Sequence, residues 1–466
     1  MNTKQIHFIL ILLLLSLFSQ AQNVKLNGFA ENASGKIIRL FTPSDYISNN
    51  ETLLAIDTID QFGAFQLSFS SKNIVKAEFQ IDFYRAEIYL EPNTSYEIKI
   101  DSFNYRLFET KPPFLYPTDL NYSILKCSGK DINVEIRKFR TYHNEFIFKN
   151  FRKLYNLRKK ELIQIYQKEL DSIFTGVTHP YIKTMMLYNK ASMEQLASTK
   201  SRRNLYKEYL ISKNIQYFHP DYMFFFNDFY GNYFDNFPKT IPFSSLKKMV
   251  NVSRSVTGIL DSLGHDSLLI NEVIRELVFL KGIQGLYKNQ EFDKENILYL
   301  LKNFSNYTKF KEHKEIALNI IKQLTLFKPG NSIPDYIFRN QSNEDVHLKS
   351  FNEKPVYLFF TASFCQGCFP ELDILKSLHQ KYSNSIEIVV ISCDYEYASY
   401  YHTFPVNRYP FTILHWNNQP EMLRNLGIRV FPTAMMIMPG MKVNLYSAPI
   451  PTENADALFN TISLRR

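Results

Sequence analysis

Cysteine is scarce in this chain, since its 466 residues contain only four, at positions 127, 365, 368 and 393. A small secreted domain held together by disulfides has a far higher cysteine density. The chain must therefore be stabilised by ordinary hydrophobic cores, and its length suggests about three domains.

Metal-ligand spacings are missing as well. A structural zinc site needs four ligands, and Cys365 and Cys368 supply only half of such a set. No second Cys-x2-Cys pair and no His-x3-His pair accompanies them, and Cys127 and Cys393 stand alone in the sequence. We therefore expect neither a bound metal nor another cofactor.

Long hydrophobic runs are absent beyond the first 20 residues. A bilayer crossing takes about 20 apolar residues, so we expect a protein that does not span a membrane. At the start, Lys4, an apolar run over residues 8–18 and small residues at 19 and 21 have the layout of a signal peptide, residues 1–21. No cysteine follows for lipid attachment, which predicts an exported protein, soluble in the periplasm.

Positive charge is in excess, and it is unevenly placed. The formal net charge is +9, yet residues 328–466 contain 12 basic and 12 acidic residues, so the excess lies before residue 328. The basic run Arg158-Lys159-Lys160 falls in a helical pattern, where a solvated face is the simplest interpretation. No nucleic-acid motif accompanies it, so we expect no nucleic-acid partner; attraction to acidic partners or lipid headgroups stays open.

Residues 22–105 show the period-two alternation of half-buried antiparallel strands. The alternating apolar positions are Phe65, Leu67, Phe69, Phe79, Ile81, Phe83, Tyr96, Ile98 and Ile100. A small antiparallel β-sandwich is the simplest architecture that covers such faces.

Residues 106–130 contain three prolines and are predicted to be a linker, whereas residues 131–327 are predicted to form an all-α domain. Residues 131–175 lack glycine and proline, and five apolar residues share one helical face: Leu162, Ile165, Tyr166, Leu170 and Ile173. Residues 217–237 are dense in Phe and Tyr, which indicates either core packing or an exposed groove for an extended partner.

Residues 328–466 alternate strand and helix patterns. A buried strand over residues 355–361 precedes Cys365-Gln366-Gly367-Cys368, and an apolar helical period follows. Two thiols three residues apart at a helix N-terminus can form a small disulfide, and the helix dipole stabilises a thiolate there. The pattern favours thiol–disulfide exchange, with a purely structural disulfide as the alternative.

This region resembles the thioredoxin superfamily, specifically the exported TlpA/ResA-like thiol–disulfide oxidoreductases. Four stretches carry the resemblance, in family order: Gly330-Asn-Ser-Ile-Pro-Asp, Phe360-Thr-Ala-Ser-Phe-Cys-Gln-Gly-Cys-Phe-Pro-Glu, Leu426-Gly-Ile-Arg-Val-Phe-Pro-Thr and Met438-Pro-Gly-Met-Lys-Val. The resemblance implies an α/β thioredoxin fold for residues 328–466.

The resemblance also implies roles. Cys365 is expected to be the exposed nucleophile and Cys368 the buried resolving thiol. Glu371 is expected to be a buried acid that manages the proton of that thiol, unless it is an ordinary first-turn acid. Pro432 is expected to follow a cis peptide bond opposite the cysteines. The expected substrate contacts are Phe364, Gln366, Gly367, Phe431 and Thr433.

Two residues depart from the family pattern: Phe364 stands where Trp is usual, and Pro370 falls early in the helix, which it can do only in the first turn. Outside the motif, Cys393 is expected to be a buried inert thiol and Cys127 a partly exposed one in the linker, with a Cys127–Cys393 bridge as the alternative.

These observations predict an exported thiol–disulfide oxidoreductase that reduces the disulfides of envelope proteins and receives electrons from a membrane thiol–disulfide donor. The alternative is a ligand- or protein-binding envelope protein whose Cys-x2-Cys pair is structural or regulatory. Metal handling and peroxidase activity are less well supported, because Thr361 precedes Cys365 by four residues and not by the three of a peroxidatic motif.

Overall fold

The protein is described from a computed structural model over residues 23–102, 118–211, 213–231, 233–234, 241–325 and 328–464. The expected signal peptide, residues 1–21, lies outside the described residues, as does residues 103–117 of the expected linker. Within the described ranges, no helix combines the length and the apolar character that a bilayer crossing requires.

The N-terminal region is built from strands in two sheets. The described strands are β1 (Asn23–Ala30), β2 (Ile37–Pro43), β3 (Glu51–Thr58), β4 (Ala64–Ser70), β5 (Val75–Ile81), β6 (Tyr84–Leu90), β7 (Ser95–Ile100), β8 (Thr118–Asp119) and β9 (Tyr122–Cys127). The sheet orders are β4-β1-β7-β9 and β3-β2-β5-β6-β8. Both sheets contribute to one hydrophobic core, as the alternation of Tyr96, Ile98 and Ile100 with polar residues predicts.

Two sequence expectations are corrected here. The strands are not all antiparallel, because β1 pairs with β7 and β6 with β8 in parallel. These partners are far apart in the chain, so no hairpin turn dictates their direction. The expected linker, residues 106–130, contains β8 and β9 in its second half, and β9 completes the first sheet by pairing with β7.

Helices make up the described part of residues 131–327. They are α1 (Ile132–Tyr155), α2 (Glu161–Ile173), α3 (Pro180–Leu196), α4 (Arg202–Tyr206, continued by a π-helical turn), α5 (Pro220–Phe229), α6 (Phe243–Asn251), α7 (Val256–Gly264), α8 (Glu272–Leu286), α9 (Lys294–Tyr307) and α10 (Lys311–Thr325).

The helical pattern is interrupted once where the sequence predicts continuity. The chain breaks between α1 and α2, where Arg158 has a positive φ of 47°. The buried face of α2 is Ile163, Tyr166 and Leu170, whereas Ile165 and Ile173 of the predicted face are 44% and 40% exposed. The face is therefore rotated from the prediction, because the packing of α2 against α1 and α3 sets it.

The aromatic stretch within residues 217–237 is mostly core. Its buried rings pack against one another and against neighbouring helices: Tyr222, Phe225, Phe226, Phe229 and Tyr230. Phe224 is an exception, with 68% of its surface exposed. Residues 235–237 lie outside the described ranges.

The C-terminal region alternates strands and helices around one sheet. Its elements are β10 (Ile337–Arg339), β11 (Asp345–His347), β12 (Val356–Thr361), α11 (Cys368–Tyr382), β13 (Glu387–Ser392), α12 (Tyr397–Thr403), β14 (Thr412–His415), α13 (Pro420–Asn425), β15 (Thr433–Met438), β16 (Lys442–Ala448) and α14 (Ala455–Ser463). The sheet order is β11-β10-β14-β13-β12-β15-β16. Both faces of the wholly buried β12 are covered by hydrophobic cores, so its carboxyl end points the following loop to the edge of the sheet.

Candidate active site

The Cys-x2-Cys pair lies between the end of β12 and the start of α11. The Cys365 N–H donates to the Ala362 carbonyl, and the Cys368 N–H donates to the Cys365 carbonyl, both at 3.0 Å. Helix α11 begins at Cys368, and no side chain caps its first turn. Pro370 falls in that turn, where its missing N–H breaks no helical hydrogen bond.

The two cysteines are joined in a disulfide, and their Cα atoms lie 5.4 Å apart. Their environments differ: Cys365 is half-buried, whereas Cys368 has none of its surface exposed. Gln366 and Gly367 between them are exposed. Only Cys365 is therefore within reach of a large partner molecule.

The loop before β15 lies beside the cysteines, as the resemblance implies. The Phe431–Pro432 peptide bond is cis. Thr433 pairs with Phe360, the penultimate residue of β12, and the Phe431 ring lies 6.2 Å from the Phe364 ring, centroid to centroid. All these residues are found around the end of β12.

Glu371 is buried on the first turn of α11, and its carboxylate has a definite partner. It accepts hydrogen bonds from the Thr452 N–H at 2.9 Å and from the Thr452 hydroxyl at 2.6 Å. Thr452 belongs to the short 3-10 turn Pro451–Glu453 that precedes α14. Glu371 thus connects α11 to the C-terminal segment, a contact that the sequence does not indicate.

Asp394 is a site residue that sequence reasoning missed. Its buried carboxylate accepts hydrogen bonds from the Ser363 N–H at 2.9 Å, the Ser363 hydroxyl at 2.5 Å and the Ser392 hydroxyl at 2.5 Å. Burial raises the pKa of this carboxyl. Since Ser363 lies two residues before Cys365, Asp394 anchors the redox loop. Its place just after a buried parallel strand was the available signal, because ligand sites form at the carboxyl ends of such strands.

The backbone of Asp394 is held equally firmly. Its carbonyl accepts hydrogen bonds from His415 Nε2 and Trp416 Nε1, both at 2.7 Å. The Asn417 N–H donates to His415 Nδ1 at 3.2 Å, so the imidazole is neutral with its proton on Nε2. Burial lowers the pKa of His415 to about 4.

The N-terminal strands contact the back of this site. The Phe83 ring stacks on the Trp416 ring with centroids 5.4 Å apart. The Tyr395 hydroxyl donates to Asp82 at 3.1 Å, and Lys36 forms an ion pair with the same carboxylate at 2.9 Å. The residues that hold Asp394 are therefore packed against the β5–β6 turn.

Cys127 and Cys393 are not bridged to each other. Cys393 is buried, and burial raises the pKa of its thiol well above the usual range, as expected for an inert thiol. Cys127 ends β9 and is half-buried. Among the described residues, no three His, Cys, Asp or Glu side chains are grouped to hold a metal ion.

The model of a thioredoxin-like family matches residues 352–443. The C-terminal domain is thioredoxin-like. Thiol-disulfide oxidoreductase ResA from Bacillus thuringiensis subsp. konkukian is 23% identical over 112 residues, and its Bacillus cereus counterpart is 22% identical; the match covers 23% of this chain and 62% of each relative. The chain thus spans less than two thirds of the length of these relatives.

The thioredoxin-like domain also has counterparts among solved structures. One is the thioredoxin domain of a thiol-disulfide oxidoreductase from Bacteroides vulgatus, which is 16% identical, covers 29% of this chain and 97% of that chain, and has a TM-score of 0.26.

Proposed function

We propose that this protein is an exported thiol–disulfide oxidoreductase that reduces disulfides of envelope proteins. The observation that carries the proposal is the unequal burial of two bonded cysteines at the start of one helix. A half-exposed Cys365 can meet a partner disulfide, whereas the fully buried Cys368 can react only with a sulfur brought to it by Cys365.

The reaction begins with the reduced pair. The Cys365 thiolate attacks one sulfur of a substrate disulfide, which forms a mixed disulfide and releases the other substrate sulfur as a thiolate. The Cys368 thiolate then attacks Cys365 Sγ, which re-forms the Cys365–Cys368 bond and releases the second substrate thiolate. Two electrons pass to the substrate, and both released thiolates take protons from solvent.

The surroundings of the pair support this chemistry. The open N–H groups of the first turn of α11 and the helix dipole stabilise a thiolate there. Phe364, Gln366 and Gly367 on one side, and Phe431, Pro432 and Thr433 on the other, would contact the substrate backbone. Glu371, held by Thr452, would position the first turn and manage the Cys368 proton.

The cycle requires a thiol donor, for which we propose a membrane thiol–disulfide protein, because the oxidised pair must be reduced again after each turnover. Export rests on the signal-peptide pattern of residues 1–21.

The test is the redox midpoint of the Cys365–Cys368 pair in the mature protein, equilibrated in dithiothreitol buffers, with Cys365→Ser as the control. A reversible midpoint near that of thioredoxin, about −270 mV, agrees with a reductase. A midpoint near −120 mV would make the protein an oxidant. If the pair does not titrate reversibly, the oxidoreductase proposal is wrong and a binding protein with a structural disulfide replaces it.

A further inference from the structure

The end of α1 carries an exposed aromatic face beside a cluster of positive charge. Phe148, Phe151 and Tyr155 are 88%, 50% and 57% exposed, and they follow one another at helical spacing. The Phe151 and Tyr155 rings stack with centroids 5.6 Å apart and planes 12° apart. Residues 148–160 include six basic and no acidic residues.

This face is one wall of a groove. The opposite wall comes from α3, with Met193 and Leu196, and from the exposed Phe224 of α5. The cavity between the walls has a volume of about 1400 Å³. Sites for small molecules usually measure roughly 300–1,000 Å³, so the groove is large enough for a segment of polypeptide.

The charge of the groove selects its occupant. Arg152 and Arg158 line it, both are exposed, and neither forms an ion pair within the described part of the chain. Asp228, the carboxylate in the lining, accepts a hydrogen bond from Gln195. Two arginines beside apolar walls fit a partner that presents carboxylates next to apolar side chains.

We propose that this groove binds an acidic, amphipathic segment of a protein partner. Such a segment lays its apolar side chains against Phe148, Phe151 and Phe224 while its carboxylates meet Arg152 and Arg158. A lipid surface matches the charge but not the shape, because a flat bilayer would rest on the rims of a concave groove and leave its walls uncovered. That the partner is a disulfide-bonded substrate rests on the proposed function; binding itself does not.

The test uses a fluorescent, cysteine-free peptide of about 14 residues, roughly four helical turns, with Leu and Glu at amphipathic spacing. A matched peptide carries Lys in place of Glu. We expect the acidic peptide to raise its anisotropy with the full-length protein, and the basic one not to. Binding should weaken as ionic strength rises from about 0.1 M to about 1 M, where the Debye length falls from ~10 Å to ~3 Å.

Variants locate the site. The pair Phe148→Ser with Phe151→Ser, and the pair Arg152→Glu with Arg158→Glu, should each weaken binding about tenfold or more, since buried aromatic and arginine contacts dominate interfaces. The matched controls are Phe62→Ser and Lys314→Glu, two exposed residues outside the groove, which should bind like the wild type.

Three results would overturn the proposal: equal binding by groove and control variants, equal binding of the acidic and basic peptides, or binding only to phosphatidylglycerol vesicles and not to the acidic peptide. Cys365→Ser separates the two proposals, because it abolishes disulfide exchange but should leave peptide binding unchanged.

Discussion

His415 allows the packing behind the redox loop to be measured directly. It is 3% exposed, it donates through Nε2 to the Asp394 carbonyl, and it accepts through Nδ1 from the Asn417 N–H. Acid would place a proton on Nδ1, which would break the Asn417 bond and create a buried charge. The substitution His415→Gln offers a donor and an acceptor that do not titrate.

The magnitude follows from the pKa. Burial lowers the pKa of His415 from 6.5 to about 4, whereas the unfolded chain keeps a value near 6.5. The neutral imidazole therefore contributes stability that is fully present above pH ~6.5 and is lost as the pH falls through about 4. Because one pKa unit is worth about 1.4 kcal/mol, acidification to pH ~4 should cost the wild type about 3 kcal/mol through this residue.

The assay uses the only tryptophan of the chain, Trp416, which is buried beside His415 and reports on this region. Urea unfolding followed by its fluorescence at about pH 8, 6 and 4 gives the free energy of unfolding at each pH. Other groups that titrate are common to both proteins, so the difference between wild type and His415→Gln isolates the histidine.

We expect His415→Gln to be less stable than the wild type at pH ~8 and to lose about 3 kcal/mol less between pH ~8 and ~4. Parallel losses in the two proteins would show that His415 is not a buried neutral imidazole, and the account of the Asp394 region would then be wrong.

Three further predictions concern the site. After reduction, iodoacetamide should modify Cys365 at least tenfold faster than the buried Cys368, which peptide mass mapping measures; equal rates would contradict the burial difference. Glu371→Gln should lower the free energy of unfolding by about 1 kcal/mol, since a hydrogen bond to a charged group becomes a neutral one, and a loss no larger than that of an exposed substitution such as Asp373→Asn would argue against the Thr452 contacts. Phe83→Ala should cost about 3 kcal/mol and red-shift the fluorescence of the stacked Trp416, whereas an unchanged spectrum would mean that this packing is absent.

Local patterns in the sequence were sufficient for much of the thioredoxin-like domain. The buried strand, the Cys-x2-Cys pair at the start of a helix and the loop around Pro432 each occupy a short stretch whose periodicity or spacing is readable without partners. The alternating strands of the N-terminal region are readable for the same reason, although the direction in which distant strands pair is not.

Tertiary structure decided the features that depend on distant partners. Glu371 meets Thr452 across 81 residues of chain, and Asp394 reaches Ser363 across 31. The contact of Phe83 with Trp416 joins regions that the sequence presents as separate domains. The sequence by itself determined the reacting pair and the elements that carry it, because periodicity and spacing are local; which side chains hold that pair in place was decided only by the packing of elements far apart in the chain.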